Sequence, residues 1–299
     1  MAAYLDAHVH LWELADGEDF WMRDKIDGLH RDFTAADLAR LQDACGVGGA
    51  IVVQAMHNHR ESERLLAQAT GDPRLAGVVA WADLFDPTLA ERVGHYRKWP
   101  KFLGLRPLPP DTFGGNWIAD PRSAAAFRTL EAQDVAVDLL LRVENLAAAR
   151  AFLRPYGGLR CVLNHGGRPA VMTGDLVAWQ REMNAFARET SVTVKCSGLV
   201  ERAGVEWTKD SLKPWVAGLL EAFGSRRVMF ATNWPVMTIS ANYPLWVNTL
   251  ATILDELGLT AGERDDVMAG TAARAYRVTW PPAAASAVNA VSAQPINGG

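Results

Sequence analysis

Two histidines stand two residues apart near the N-terminus, in Asp6-Ala7-His8-Val9-His10-Leu11-Trp12, and a third lies in Asn164-His165-Gly166-Gly167-Arg168-Pro169. Residues i and i+2 of a strand share one face, so His8 and His10 present both imidazoles to the same side. Joined by His165, they are candidates to hold one divalent metal through neutral ring nitrogens, as zinc sites do. Arg106, in Gly104-Leu105-Arg106-Pro107, and Lys195, in Lys195-Cys196-Ser197-Gly198, add two cations. Their ordinary role is pairing with Asp83, Asp138 or Glu201. Their chemical role is to stand at a site's mouth, grip an anionic or strongly polar ligand and polarise a carbonyl. A last stretch, Arg227-Val228-Met229-Phe230-Ala231-Thr232-Asn233-Trp234-Pro235, reads as an apolar strand closing on a polar residue and a Trp-Pro break.

Positioning such groups takes a scaffold in which strand ends converge. Eight strand-like runs occur at about 4–12, 46–54, 75–83, 102–108, 135–142, 160–167, 192–199 and 227–234, most followed by a helix-like segment. Gly48-Gly49-Ala50-Ile51-Val52-Val53-Gln54 and Val192-Thr193-Val194-Lys195-Cys196 have the β-branched content of buried parallel strands. Thr34-Ala35-Ala36-Asp37 and Thr260-Ala261-Gly262-Glu263 read as helix starts, and Asp120-Pro121 offers an N-cap followed by proline. Leu176, Trp179, Met183 and Phe186, and again Trp215, Leu219 and Phe223 after Pro214, recur at helical spacing, as core-facing stripes do. Eight alternations predict an α/β protein, a single (β/α)8 TIM barrel over residues 1–279, with 280–299 a low-complexity tail. A doubly wound open sheet normally carries a glycine-rich phosphate turn after its first strand, where this chain has His8-Val9-His10.

In such a barrel the chemistry sits at the C-terminal strand ends. There the sequence places His8 and His10, Gln54 with His57 beyond, Asp83, Arg106, Arg142, Asn164 and His165, Lys195 and Ser197, and Asn233 followed by Trp234. A two-metal centre needs a bridging ligand, and the fourth and fifth strands end in Arg106 and Arg142, which cannot coordinate. One zinc or manganese ion, or none, is the expectation. Gln54, His57, Asp83, Arg106, Arg142, Lys195 and Trp234 are the expected substrate-binding residues.

Bulk properties narrow the class. With 299 residues, 49% hydrophobic and 21% charged, the chain is long enough for a large folded core. A net charge of −4 and the lack of a basic stripe give nucleic acid no foothold. Cys45, Cys161 and Cys196 are too widely spaced for a zinc ribbon or a disulfide framework and read as reduced thiols. No basic-then-apolar leader or membrane-length apolar run is visible, so a cytoplasmic protein acting on a small molecule, with room for homo-oligomers, is expected.

Taken in order, the motifs around His8 and His10, Val53-Gln54, Gly104-Leu105-Arg106-Pro107, Asn164 to Pro169, Lys195-Cys196-Ser197-Gly198-Leu199, Phe230 to Pro235 and Gly270-Thr271-Ala272-Ala273-Arg274-Ala275-Tyr276 resemble the sugar-lactonase branch of the amidohydrolase superfamily. That branch holds L-fuconolactonases, L-rhamnonolactonases and muconolactone and pyrone-dicarboxylate lactonases. The resemblance covers about residues 4–278. It implies a distorted barrel that hydrolyses a lactone ring, with weak or dispensable metal dependence and a small-molecule lactone or organic acid as its partner. It further implies that position 233 activates water, that His165, His8 and His10 orient water or carbonyl, and that Arg106 and Lys195 bind substrate.

Two residues depart from the pattern. Asn164 stands where the family often has aspartate, and its amide is expected to orient His165. Asn233 stands where the family keeps its water-activating aspartate, and an amide takes no proton from water. The favoured reading is a base-neutralised, engineered variant. The others are a natural enzyme using another base, such as His165 or a metal-bound hydroxide, and a natural protein of little hydrolytic activity. Rival functions are a metal-dependent decarboxylase of aromatic acids, a lactone isomerase and a catalytically weak sugar-acid binding protein. The loops at 13–33, 55–62 and 107–118 are expected to select the substrate.

Overall fold

The structure, a computed structural model, describes residues 4–17, 26, 28–109 and 117–281. Eight strands, β1 (Tyr4–Val9), β2 (Val47–Val53), β3 (Leu75–Trp81), β4 (Phe102–Arg106), β5 (Ala136–Leu139), β6 (Cys161–Leu163), β7 (Thr193–Cys196) and β8 (Val228–Phe230), pair in sequence order. Every neighbouring pair is parallel. The ring closes beyond β8. There Asn233 N–H donates to the His8 carbonyl at 2.9 Å and His10 N–H to the Trp234 carbonyl at 2.7 Å, and Val9 bridges Trp234 in parallel. The expected (β/α)8 barrel is the observed fold. Its strands stop up to four residues short of the predicted runs, because the polar ends leave the ladder and turn over the rim.

The connections carry α1 (Ala35–Asp43), α2 (His59–Gly71), α3 (Leu89–Tyr96), α4 (Ser123–Ala132), α5 (Leu146–Leu153), α6 (Leu176–Glu189), α7 (Val200–Ala203), α8 (Lys209–Phe223), α9 (Tyr243–Glu256), α10 (Ala261–Asp265) and α11 (Thr271–Tyr276). The predicted starts at Thr34 and Thr260 are capping boxes, each side chain accepting from the backbone three residues on. Two starts differ. α8 begins at a Thr208 capping box and takes Pro214 inside it. α4 begins two residues after Pro121, because Asp120 folds back on Arg122, accepting its N–H at 2.9 Å.

Two apolar layers result. Leu5, Ala7, Ile51, Val53, Val79, Ala136, Val162, Met229 and Ala231 fill the barrel, and Ala269, Ala272 and Tyr276 close its lower end. The larger layer lies between sheet and helices. Trp280 packs on the inner cluster, and Gly49 leaves room for its ring, since a Cβ there would come within 2.5 Å of it. The rest of the expected tail, 282–299, and most of the 108–118 loop lie outside the described residues. Among the described residues no helix is long and apolar enough to cross a membrane.

Candidate active site

The first strand is bulged where its chemistry begins. Asp6 pairs with Ala50 and Val9 with Val52, so three steps on β1 match two on β2. The extra residue lets Ala7 stay in the inner core while His8 also turns inward. Asp6, on the other face, locks β1 to β8: it accepts from Thr232 N at 3.0 Å, Thr232 Oγ1 at 2.6 Å and Tyr243 OH at 3.0 Å. Burial pushes its carboxyl up to about 6, against those hydrogen bonds.

Beneath His8 lies Lys195, fully buried. Its Nζ donates to Asp138 Oδ2 at 2.6 Å and approaches His8 Nδ1 at 3.1 Å. Tyr276 OH donates to the other Asp138 oxygen, tying the plug helix α11 to the site's floor. With Nδ1 accepting from the lysine, His8 carries its proton on Nε2, which lies 3.2 Å from His10 Nε2. His10 then accepts there and donates from Nδ1 to the Val53 carbonyl at 2.8 Å. This proton order follows from the network as a whole. Burial, then Lys195, holds His8 well below the ordinary imidazole value; burial, then Arg106, lowers His10 to about 3. Both rings are neutral at pH 7.

His165 opens a left-handed run: φ is 55° there, 55° at Gly166, 72° at Gly167 and 56° at Arg168. Trp179 Nε1 pins the run by donating to the Gly166 carbonyl at 2.9 Å. The His165 ring meets Ser197 Oγ at 2.8 Å through Nδ1 and lies 4.6 Å from the His8 ring, centroid to centroid. It passes over Gly198, whose φ is 70° and where a Cβ would sit 2.7 Å from the His165 Cβ. Burial, then Arg168, lowers His165 well below its ordinary value.

Above these rings is a cavity of about 350 Å³ lined by His10, Arg106, His165, Arg168, Glu201, Arg202 and Asn233 with a few apolar side chains. Arg106 is 5% exposed and donates from Nη2 to the Gln54 carbonyl. Asn233 has a φ of 62°, and its Nδ2 donates to Glu201 Oε1 at 2.7 Å. The other oxygen, Oε2, is buried without a hydrogen-bond partner among the described residues. Burial pushes Glu201 up to about 7, with Asn233 and Arg202 opposing.

His10, His165, Arg106 and Asn233 therefore meet in one cavity, with His8 in the layer directly beneath. The other expected residues take different places. Lys195 is in the floor and not at the mouth, because its strand register sets it beside Met229 of the inner core. Gln54 is fully buried and offers only its backbone carbonyl to Arg106. His57 stacks on Trp81, rings 6.1 Å apart. Asp83 caps its own turn, accepting from Phe85 N at 2.9 Å. Arg142 is largely exposed, 3.9 Å from Glu144, and Trp234 is core, edge-on to Phe33 at 5.4 Å. Asn164 is buried with neither side-chain polar atom bonded among the described residues; Ser197 orients His165 in its stead. Glu201 entered the sequence reading only as a pairing partner for the cations. It sits on the one-turn helix α7 and not at a strand end, so only the spacing Gly198-x-x-Glu201 after a rim strand could have signalled it.

The metal expectation meets a partial donor set. Nitrogens on a tetrahedral zinc lie about 3.3 Å apart, given Zn–N distances near 2.0–2.1 Å, and the His8 and His10 Nε2 atoms match that spacing at 3.2 Å. Among the described residues no three His, Cys, Asp or Glu side chains are grouped to hold a metal. Two nitrogens above a buried lysine make an incomplete grip on a metal.

Comparison with known proteins agrees with this architecture. An L-fucono-1,5-lactonase from Burkholderia ambifaria is 31% identical over 284 residues, 94% of this chain and 98% of the relative. One from Burkholderia multivorans is 32% identical over 293 residues, with the same coverage. A crystal structure of a Burkholderia multivorans amidohydrolase with bound zinc superposes with a TM-score of 0.85 at 32% identity, covering 93% of this chain and all of that one. The family model described as "Amidohydrolase" matches residues 5–278, and the chain belongs to that family.

Proposed function

We propose that this chain opens the ring of a sugar-acid lactone, adding water to the ester carbonyl and releasing the hydroxy acid. The observation that carries the reading is the near full-length similarity to two L-fucono-1,5-lactonases, joined to a cavity in which neutral imidazoles face a buried guanidinium. Arg106 stays charged at any working pH and is largely desolvated, so it strongly favours negative charge developing on a carbonyl oxygen. Uncharged His10 and His165 orient carbonyl and water. Arg168 and Arg202, both lining the cavity, favour the carboxylate that ring opening creates.

A divalent ion, when bound, would have His8 and His10 Nε2 as protein ligands once the His8 proton had moved to Nδ1 and Lys195 had turned from it, and would supply Lewis acidity. The short donor set supports weak binding and activity that outlasts chelation. The test is a panel of six-carbon sugar 1,5- and 1,4-lactones plus a muconolactone, followed by acid release, before and after dialysis against chelator. Hydrolysis of a 1,5-lactone of a deoxy sugar acid is expected. Absence of acid from every lactone, or carbon dioxide release from an aromatic acid in its place, would sink the reading.

A further inference from the structure

The family resemblance leaves the water-activating position occupied by an amide, yet the cavity is not without a carboxylate. Glu201 lines it, with Oε1 fixed by Asn233 Nδ2 at 2.7 Å and Oε2 buried and unbonded among the described residues. A buried carboxylate oxygen lacking a donor costs free energy unless something donates to it, and Glu201 lines a cavity large enough to admit water. The amide has no basicity but is a good fixed donor. It is itself fixed, by its N–H to the His8 carbonyl at 2.9 Å and by its left-handed backbone.

We propose that Glu201 is the general base of this active site and that Asn233 is the positioning residue that aims it. The proposal rests on the lactone-hydrolase reading above. Water gives its proton to the Glu201 carboxylate as its oxygen bonds to the ester carbonyl carbon. Collapse of the tetrahedral intermediate breaks the bond from that carbon to the ring oxygen. Glu201 returns the proton to the departing oxygen, which leaves as the hydroxyl of the product. No oxidant, metal or further reactant is needed for the balance.

The groups facing Glu201 fit that task. Arg202, on its own helix, favours the ionised form. Across the cavity stand Arg106 and Arg168, both cationic, and His10 and His165, both neutral. Burial dominates and raises Glu201 to about 7, which puts a carboxylate base near the operating pH, where general-base catalysis is most effective.

The experiment is the pH profile of kcat/KM for the wild type, Glu201→Gln, Glu201→Asp and Asn233→Asp, with far-UV circular dichroism and thermal unfolding to establish folding. The wild type should show an acidic limb near pH 7. Glu201→Gln, which can still accept from Asn233, should lose about 10²–10⁴-fold and the limb with it. Glu201→Asp should keep the limb at a reduced rate. Asn233→Asp sets a second carboxylate against Glu201, so it should bring no gain at neutral pH and move the limb upward. Wild-type turnover with Glu201→Gln unimpaired, or a large gain from Asn233→Asp with Glu201→Gln nearly silent, overturns this proposal and leaves the lactonase reading standing. A wild type that turns over no lactone overturns both.

Discussion

Lys195→Met separates a lysine in the floor from a lysine at the mouth. Lys195 and Asp138 are both completely buried and 2.6 Å apart. Methionine keeps the length and apolar bulk of the lysine stem and removes the ammonium. Asp138 is then left in the barrel interior with Tyr276 OH as its remaining side-chain donor. Breaking one partner of a buried ion pair costs about 3–5 kcal/mol, because the other charge stays desolvated. Against a total stability of about 5–15 kcal/mol that is a large fraction, and it corresponds to a fall in Tm of roughly 5–8 °C for a chain of this size. Urea denaturation of the wild type, Lys195→Met, Asp138→Asn and the double variant gives the full cycle. The double variant should recover at least about 1 kcal/mol relative to the sum of the singles. Lys195→Met should also lose activity at saturating substrate, since the donor fixing the His8 tautomer at 3.1 Å is gone. A lysine that simply gripped substrate at the rim would instead raise KM and leave unfolding unchanged. Additive single effects below about 1 kcal/mol would refute the floor assignment.

Two further outcomes are expected. Burial pushes Glu61 up to about 8, against hydrogen bonds from Ala55 and Met56 N–H. A raised carboxyl keeps its proton in the folded state after the unfolded chain has lost it, so stability falls as pH rises towards and through the folded value. The buried histidines act in the opposite sense, but only below about 6.5, where the unfolded chain takes up protons. From there to about pH 8.5, unfolding free energy should drop by about 2 kcal/mol from Glu61, and Glu61→Gln should flatten the slope; a flat wild-type profile would contradict this. Gly198→Ala forces a side chain into the left-handed region and against His165, 2.7 Å from its Cβ. It should cost on the order of 2 kcal/mol and at least about tenfold in kcat, and an unchanged kcat would show that His165 need not hold its position.

The barrel was legible because its signal is repeated: eight apolar strand-like runs, most followed by a helix-like segment, leave one sensible closure. His8, His10, His165, Arg106 and Asn233 were legible for the related reason that strand ends in such a barrel converge. Depth along a strand is a different matter. Lys195 lies one residue before the end of β7, and only the register that sets it beside Met229 shows it to be in the floor. Ser197 takes the role expected of Asn164 because the left-handed run at His165 turns its ring towards β7. Glu201 was hidden most completely. It is 32 residues from Asn233 in sequence, and a left-handed turn at Gly198, which has no signature beyond the glycine itself, carries it back over the cavity.

That contact changes what an amide at position 233 means. A carboxylate in the same place would have an oxygen about 2.7 Å from Glu201 Oε1, and two buried carboxyls that close share a proton, so that one of them stays neutral above its ordinary range. With asparagine the contact becomes a donor–acceptor pair, Glu201 is the only carboxylate among the described residues lining the cavity, and its second oxygen is buried and takes no hydrogen bond among the described residues. Asn233 and Glu201 are thus chemically coupled: the amide suits this cavity because the glutamate is there, and the glutamate ionises near neutrality in part because the amide donates to it. The coupling makes Asn233→Asp the wrong repair for this cavity unless Glu201 is neutralised as well. The double variant Glu201→Gln/Asn233→Asp, with one carboxylate restored to the family's position, should therefore be more active than Glu201→Gln alone.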